Sequence, residues 1–111
     1  MGFFSMMLGG NTISPKEARD KMKQLSDYVL LDVRTRQEFK QNHIKGATLI
    51  PLDQLQERAA VDLPDKDAPI FIYCQSGARA GSACKVLSRM GYSDVVSFGG
   101  IMNWPYGTTR G

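Results

Sequence analysis

The residues with the clearest chemical potential are Cys74 and Arg79, which bracket a loop of four residues, Gln75, Ser76, Gly77 and Ala78. The loop follows an apolar run and precedes a helical pattern, and open α/β sheets bind ligands at such points beyond the strand ends. It has no acidic residue, and its backbone N–H groups can form a nest around an anion. Because the helix dipole and Arg79 add positive charge, the pattern favours a thiolate and predicts that Cys74 is a nucleophile.

Strand-like and helical segments alternate along the chain and must position this loop. We predict five strands, at residues 12–13, 28–33, 47–50, 70–73 and 94–98. Capping boxes at Ser14-x-x-Glu17 and Thr35-x-x-Glu38 open two helices, and Asp53 is expected to cap a third that runs to about Arg58. The loop helix, 79–90, has an apolar stripe that includes Cys84, and Gly91 is predicted to end it. The alternation predicts a small α/β domain with a mostly parallel five-stranded sheet and helices on both faces.

Motifs in three parts of the chain resemble those of the rhodanese family. They are Leu31-Asp32-Val33-Arg34 followed by Glu38-Phe39, then His43-Ile44, Gly46-Ala47 and Pro51; Cys74 to Ala80; and Gly99-Gly100 with Trp104. The matches follow the family's order from residue 31 to residue 104. The sequence departs from the family's pattern at Asn42, where Gly is usual, and at Ala80, where Ser is common.

The resemblance implies a rhodanese-like three-layer fold and a single-domain thiosulfate sulfurtransferase without a cofactor. Cys74 would take sulfur from thiosulfate as a persulfide and pass it to cyanide or a thiol. Gln75, Ser76, Gly77 and Ala78 would supply backbone donors, and Arg79 would contact the anion. Asp32 would brace the site through backbone N–H groups. Arg34 and Glu38, which have i,i+4 spacing, resemble the family's internal ion pair and would be structural.

Two other functions remain open at this point. A persulfide carrier, loaded by a partner in a sulfur relay or serving a thioredoxin-like acceptor, fits the same residues. A regulatory binding module without turnover fits the fold, although an intact Cys74 and Arg79 argue against it. Cysteine phosphatases and arsenate reductases have five residues between Cys and Arg, so the shorter loop here disfavours them.

Other side chains are assigned structural roles. Cys84 lies five residues after Arg79, about 7.5 Å along its helix, too far for a disulfide with Cys74 without rearrangement. The single histidine, His43, precedes a turn into a strand, and no Cys-x-x-Cys motif occurs, so we predict no metal site. Trp104 and Phe98 are expected to pack in the core rather than line the entrance to Cys74.

Composition limits the remaining possibilities. The chain has 111 residues, 42% of them apolar and 23% charged, with a formal charge of +3, which is typical of one globular domain. We divide it into a flexible tail at 1–10, a domain at 11–107 and a short tail at 108–111. The scattered basic residues do not indicate nucleic acid. No secretory signal or spanning segment is recognised, so a cytoplasmic protein is expected, although the apolar residues 3–8 are unexplained.

Overall fold

Two continuous apolar runs form the centre of a parallel sheet in the computed structural model, which describes residues 12–111. They are β1, Val29–Asp32, and β3, Ile70–Cys74, and they pair side by side. β2, Thr48–Leu49, adds to the free edge of β1, and β4, Val95–Gly100, adds to β3, which gives the order β2-β1-β3-β4. Strands buried on both faces are expected to be apolar throughout, and all of β3 is buried.

The prediction of five strands is wrong, because the sheet has four within residues 12–111 and the predicted first strand, 12–13, is not one of them. Thr12 forms only an isolated parallel bridge with Ser97 of β4, and the Ile13 N–H donates to the Ser97 carbonyl at 2.9 Å. Ser14 then caps a helix and Pro15 has no N–H to give to a ladder, so the extended stretch ends after two residues. The other strands lie where the apolar runs predict them, with ends shifted by one or two residues.

The structure describes four α-helices within residues 12–111, one before β1 and three between successive strands. They are α1, Pro15–Gln24; α2, Arg36–Gln41; α3, Leu52–Asp62; and α4, Ala78–Arg89, with a 3-10 turn at Ile101–Asn103. Thr35 and Glu38 form the complete predicted capping box of α2, and Ser14 accepts the Glu17 N–H at 3.0 Å. The prediction for α3 is wrong, since Pro51 is its N-cap, Asp53 lies within its first turn and the helix continues to Asp62.

The helices cover the sheet on both faces, and each face has its own core. α3 and α4 pack on one face through Leu55, Ala59, Ala83 and Leu87, together with the side chain of Cys74. α1 packs on the other face through Ala18 and Met22, among Tyr73, Phe98 and Ile101. Successive residues of a strand point to opposite faces, so Tyr73 and its neighbour Cys74 belong to different cores.

The structure describes the C-terminal end of the chain and not the first 11 residues. The predicted flexible tail and its apolar residues 3–8 lie outside the described residues. At the other end, Thr109 and His43 exchange two backbone hydrogen bonds, each of 2.8 Å. The domain limits 11–107 stay a prediction. None of the helices between residues 12 and 111 has the length and apolar character needed to cross a bilayer.

Candidate active site

Cys74 is the last residue of β3 and lies at the carboxyl edge of the sheet, as predicted. Its side chain is only 1% exposed. The pairing of β3 with β4 is irregular between Ile72 and Cys74, where the chain leaves the regular ladder. The thiol therefore lies next to the loop 75–77, where α4 begins.

The loop directs a backbone N–H at the sulfur. The Gly77 N–H donates to Cys74 Sγ at 2.9 Å, and the φ of +123° at Gly77 is one that residues with a Cβ rarely adopt. α4 begins at the next residue, so its first N–H groups have no partner within the helix. Gly77 is thus the one predicted donor that bonds Sγ in the described structure, and the roles of Gln75, Ser76 and Ala78 stay predictions.

Arg79 is held by a carboxylate. Its Nη1 and Nη2 donate to the two oxygens of Glu38 at 2.8 and 3.0 Å. The hydrogen bond from Arg79 lowers the pKa of the Glu38 carboxyl to about 2, against the opposing effect of partial burial. The same contact raises the pKa of Arg79. The positive charge expected at the loop is therefore largely balanced, and an anion contact by Arg79 stays a prediction.

Arg34 and Glu38 do not form the internal ion pair that their spacing predicted. The i,i+4 rule holds inside a helix, but α2 begins at Arg36, so Arg34 lies before the helix and Glu38 lies within it. The Glu38 carboxylate accepts hydrogen bonds in the capping box and from Arg79. The Arg34 guanidinium donates instead to the buried Asp32 carboxylate. Both side chains have other partners, and their structural role stays a prediction.

Asp32 and Arg34 form a buried pair at the end of β1. Arg34 is 1% exposed, and its Nη2 and Nε donate to Asp32 oxygens at 2.7 and 3.1 Å. Asp32 also accepts the Arg34 backbone N–H at 2.9 Å, as predicted for a carboxylate at this edge. Burial is the largest single effect and lowers the pKa of Arg34, but the hydrogen bonds and charge of Asp32, together with Tyr73, outweigh it and the net shift is upward.

This pair connects the neighbouring elements to the cysteine loop. Arg34 Nη2 donates to the Asn42 carbonyl at 2.6 Å, which fixes the end of α2. Arg34 Nη1 donates to Gln75 Oε1 at 3.4 Å, a long contact that reaches the loop. A buried guanidinium with three acceptors is well suited to hold these segments in one arrangement.

Two residues near the site were missed from the sequence. The Tyr73 hydroxyl accepts the Ile44 N–H at 3.0 Å, and burial raises the pKa of this phenol. Gly100 lies so close to the loop that a Cβ there would overlap the Gln75 carbonyl oxygen. The Gly99-Gly100 pair was the available signal for this close approach, but the sequence does not show which segment approaches.

The other side chains that were considered have structural surroundings. Cys84 is buried in the core between α4 and the sheet, where burial raises the pKa of its thiol to about 11. His43 stacks on Phe39 at 3.7 Å. Trp104 packs on Phe98 at 5.3 Å in the core on the α1 side, away from the face that holds Cys74. Within residues 12–111, no group of His, Cys, Asp and Glu is arranged to hold a metal ion.

Comparisons with known proteins identify a family and relatives for this chain. Residues 14–105 match the Rhodanese-like domain family. The chain is 41% identical over 71 residues to thiosulfate sulfurtransferase PspE of Escherichia coli, with 64% of this chain and 68% of that protein covered. It is 34% identical over 96 residues to MoeZ of Mycobacterium tuberculosis, named a probable adenylyltransferase/sulfurtransferase, and spans 86% of this chain but 24% of MoeZ.

A solved structure shares the fold. The rhodanese with anions from E. coli is 35% identical and superposes with a TM-score of 0.72. The match covers 77% of this chain and 100% of that one. The parallel sheet with helices on both faces is therefore the architecture that the motifs implied.

Proposed function

This chain belongs to the rhodanese-like domain family, and from that membership we propose that it is a sulfurtransferase acting through a persulfide on Cys74. The observation that supports this most directly is the position of the thiol, at the end of β3 with the Gly77 N–H on its sulfur. A relative named thiosulfate sulfurtransferase makes thiosulfate the proposed donor. Cyanide or a thiol is the proposed acceptor.

In the first step, the Cys74 thiolate attacks the outer sulfur of thiosulfate. A bond forms between Sγ and that sulfur while the sulfur–sulfur bond of thiosulfate breaks, and its electron pair leaves with sulfite. The product is an anionic persulfide. In this proposal the backbone N–H groups of residues 75–78 and the amino end of α4 stabilise this negative charge, which is supported by the Gly77 N–H at 2.9 Å from Sγ.

In the second step, an acceptor removes the outer sulfur. Cyanide attacks it, the new carbon–sulfur bond forms, and the electron pair of the persulfide bond returns to Sγ as the thiolate. Thiocyanate then leaves. A thiol acceptor would follow the same course and leave as a persulfide of its own. Neither step needs a general base once the cysteine is ionised, which suits a site without a histidine.

Arg79 and Glu38 give the loop both charge and rigidity in this proposal. The paired guanidinium holds the first turn of α4, and the N–H groups that Glu38 does not accept are proposed to donate to thiosulfate. The buried Asp32–Arg34 pair is proposed to fix the cysteine loop through the contact of Arg34 with Gln75. These four side chains are proposed to position the loop, and Cys74 is the proposed catalytic residue.

A persulfide relay is the alternative function. Its support is the match to MoeZ, in which a segment like this chain occupies about a quarter of a larger protein named for sulfur transfer. In a relay, a partner protein would load Cys74 and thiosulfate would be a poor substitute. The cytoplasmic location expected from the sequence stays a prediction.

Intact mass after incubation with thiosulfate tests the proposal. The reduced protein is treated with excess thiosulfate, freed of small molecules and weighed, beside Cys74→Ser and Cys84→Ser. We expect a gain of one sulfur atom that is retained in Cys84→Ser, absent in Cys74→Ser and removed by cyanide. Loading only from a protein persulfide would favour the relay, and no loading from either donor would contradict both.

A further inference from the structure

A cavity of about 200 Å³ lies beside α1, and its base is apolar. Met22 of α1, Leu30 of β1 and Ile44 form this base, and all three belong to the core on the α1 side of the sheet. Tyr28 and Trp104 contribute aromatic walls. The cavity is therefore on the face opposite to α3, α4 and the side chain of Cys74.

Three cationic side chains line the same cavity, Arg19 and Lys23 from α1 and Lys45 from the segment after α2, and no acidic residue lines it. The ion pairs found within residues 12–111 join other side chains, and none of them includes any of these three cations. The neighbouring carboxylate of Asp20 is paired with Lys16 at 3.0 Å. The cavity thus brings together three cations that form no ion pair within the described part of the protein.

Arg19 is held in place without a carboxylate. Its guanidinium carbon lies 4.3 Å from the centre of the Tyr106 ring, and Tyr106 in turn packs edge-on against Trp104. Stacking of this kind orients a guanidinium while leaving its N–H groups free to donate to an anion. The Ile44 N–H donates to the buried Tyr73 hydroxyl, which fixes the segment that carries Lys45.

A second cavity on α1 shows that this charge pattern is not a general property of the helix. That cavity, of about 290 Å³, is lined by Lys21 and by Asp94, so its charges are mixed. Lys21 and Lys23 lie on the same helix but line different cavities, which provides a matched pair for experiment.

We propose that the cavity beside α1 binds a small organic anion. The carboxylate, sulfonate or phosphate group of the ligand contacts Arg19, Lys23 and Lys45, and its apolar body packs on Met22, Leu30 and Ile44. Opposite charge strengthens such contacts at short range, and burial of the apolar body gives selectivity over simple ions. The site is separate from Cys74 and does not depend on sulfur transfer.

Three small probes test separately the anionic group and the apolar body of this ligand. Naphthalene-2-sulfonate has both the anion and the apolar body, naphthalene-2-sulfonamide lacks the charge, and methanesulfonate lacks the ring. Binding is followed by chemical shifts in ¹⁵N-labelled protein at low ionic strength. We expect saturable shifts at the amides of residues 22–23, 28–30 and 44–45 with the first probe, and binding at least about tenfold weaker with the other two.

Charge variants supply the controls. The double variant Lys23→Gln/Lys45→Gln is expected to weaken binding of naphthalene-2-sulfonate by about tenfold or more. Lys21→Gln/Lys85→Gln removes the same net charge elsewhere and should leave the affinity unchanged. Equal weakening in both double variants, equal binding of the sulfonamide, or no saturable shifts at these residues would overturn the proposal. Persulfide loading of Cys74, measured by mass in the same variants, separates this outcome from failure of the proposed sulfurtransferase.

Discussion

At the scale of single residues, the bidentate contact between Arg79 and Glu38 decides how much positive charge the loop offers. Arg79 Nη1 and Glu38 Oε1 lie 2.8 Å apart, with both side chains partly exposed. A carboxylate this close offsets the field that a free guanidinium would give at the cysteine. We therefore propose that the backbone N–H groups of the loop and the helix dipole stabilise an anion at Cys74, and that Arg79 both anchors α4 and adds charge.

Replacement of Arg79 tests how much this side chain contributes to binding of the anionic donor. We expect Arg79→Gln to raise the KM for thiosulfate by about tenfold, because the variant loses a cation near the anionic donor and the anchor of α4. Steady-state kinetics with cyanide as acceptor provides the measurement. Arg89→Gln, at the exposed end of the same helix, should leave KM unchanged. An unchanged KM in Arg79→Gln would remove the arginine from donor binding.

The acid dependence of stability tests the same pair through Glu38. The hydrogen bond from Arg79 lowers the pKa of Glu38 from 4.5 to about 2, so the folded state holds this proton less tightly than the unfolded state. The contribution of the carboxylate is therefore present above about pH 4.5 and is lost as the pH falls through about 2. Denaturant unfolding of the wild type and Glu38→Gln should give stability differences that shrink over that window. A difference independent of pH would contradict the assignment.

At the scale of elements, the end of β4 fixes the shape of the cysteine loop. The Met102 N–H, just beyond β4, donates to the Gln75 carbonyl at 3.3 Å, and Gly100 leaves space for that carbonyl. The chemistry at Cys74 thus depends on a strand that contributes no reacting side chain. The close approach explains Gly100, whereas Gly99 has a φ of +94° that residues with a Cβ rarely adopt.

Two glycine substitutions separate loop geometry from stability. Gly100→Ala should lower kcat/KM by at least about tenfold, because its Cβ would overlap the Gln75 carbonyl oxygen and displace the loop. Gly81→Ala is the control, since a Cβ there meets nothing within 4 Å in α4. It should stabilise the fold by about 0.5–1 kcal/mol without changing activity. Thermal unfolding and kinetics on both variants check this, and full activity in Gly100→Ala would contradict it.

At the scale of the whole molecule, the buried pair of Asp32 and Arg34 joins segments that are distant in the chain. Arg34 connects β1 to the end of α2 and to the cysteine loop through Asn42 and Gln75. An ion pair with both members buried contributes less from attraction than it costs when one partner is removed. We therefore expect its effect on folding to appear mainly when the pair is broken.

Removal of one partner should show that asymmetry. Arg34→Met leaves the Asp32 carboxylate buried and uncompensated, and we expect a loss of about 3–5 kcal/mol in the free energy of unfolding. Asp32→Asn/Arg34→Met removes the charge as well and should recover part of that loss. Urea unfolding of the two variants makes the comparison. Equal losses would show that the hydrogen bonds to Asn42 and Gln75, rather than the unpaired charge, are decisive.

The sequence by itself determined the local features of this protein. The apolar runs predicted β1 and β3, the spacing of Thr35 and Glu38 predicted a complete capping box, and the position of Cys74 after a buried strand predicted its place at the sheet edge. Each of these depends on residues within a few positions of one another, where backbone geometry and side-chain length set the outcome.

Only the tertiary structure decided which distant groups meet. Glu38 pairs with Arg79, which lies 41 residues away in the sequence, and Arg34 pairs with Asp32. The i,i+4 spacing had predicted a pair between Arg34 and Glu38 instead. The first predicted strand became a single bridge at Thr12, and three cations from two segments came to line one cavity. Such contacts depend on how strands and helices pack, because side chains far apart in sequence meet only after the sheet is assembled.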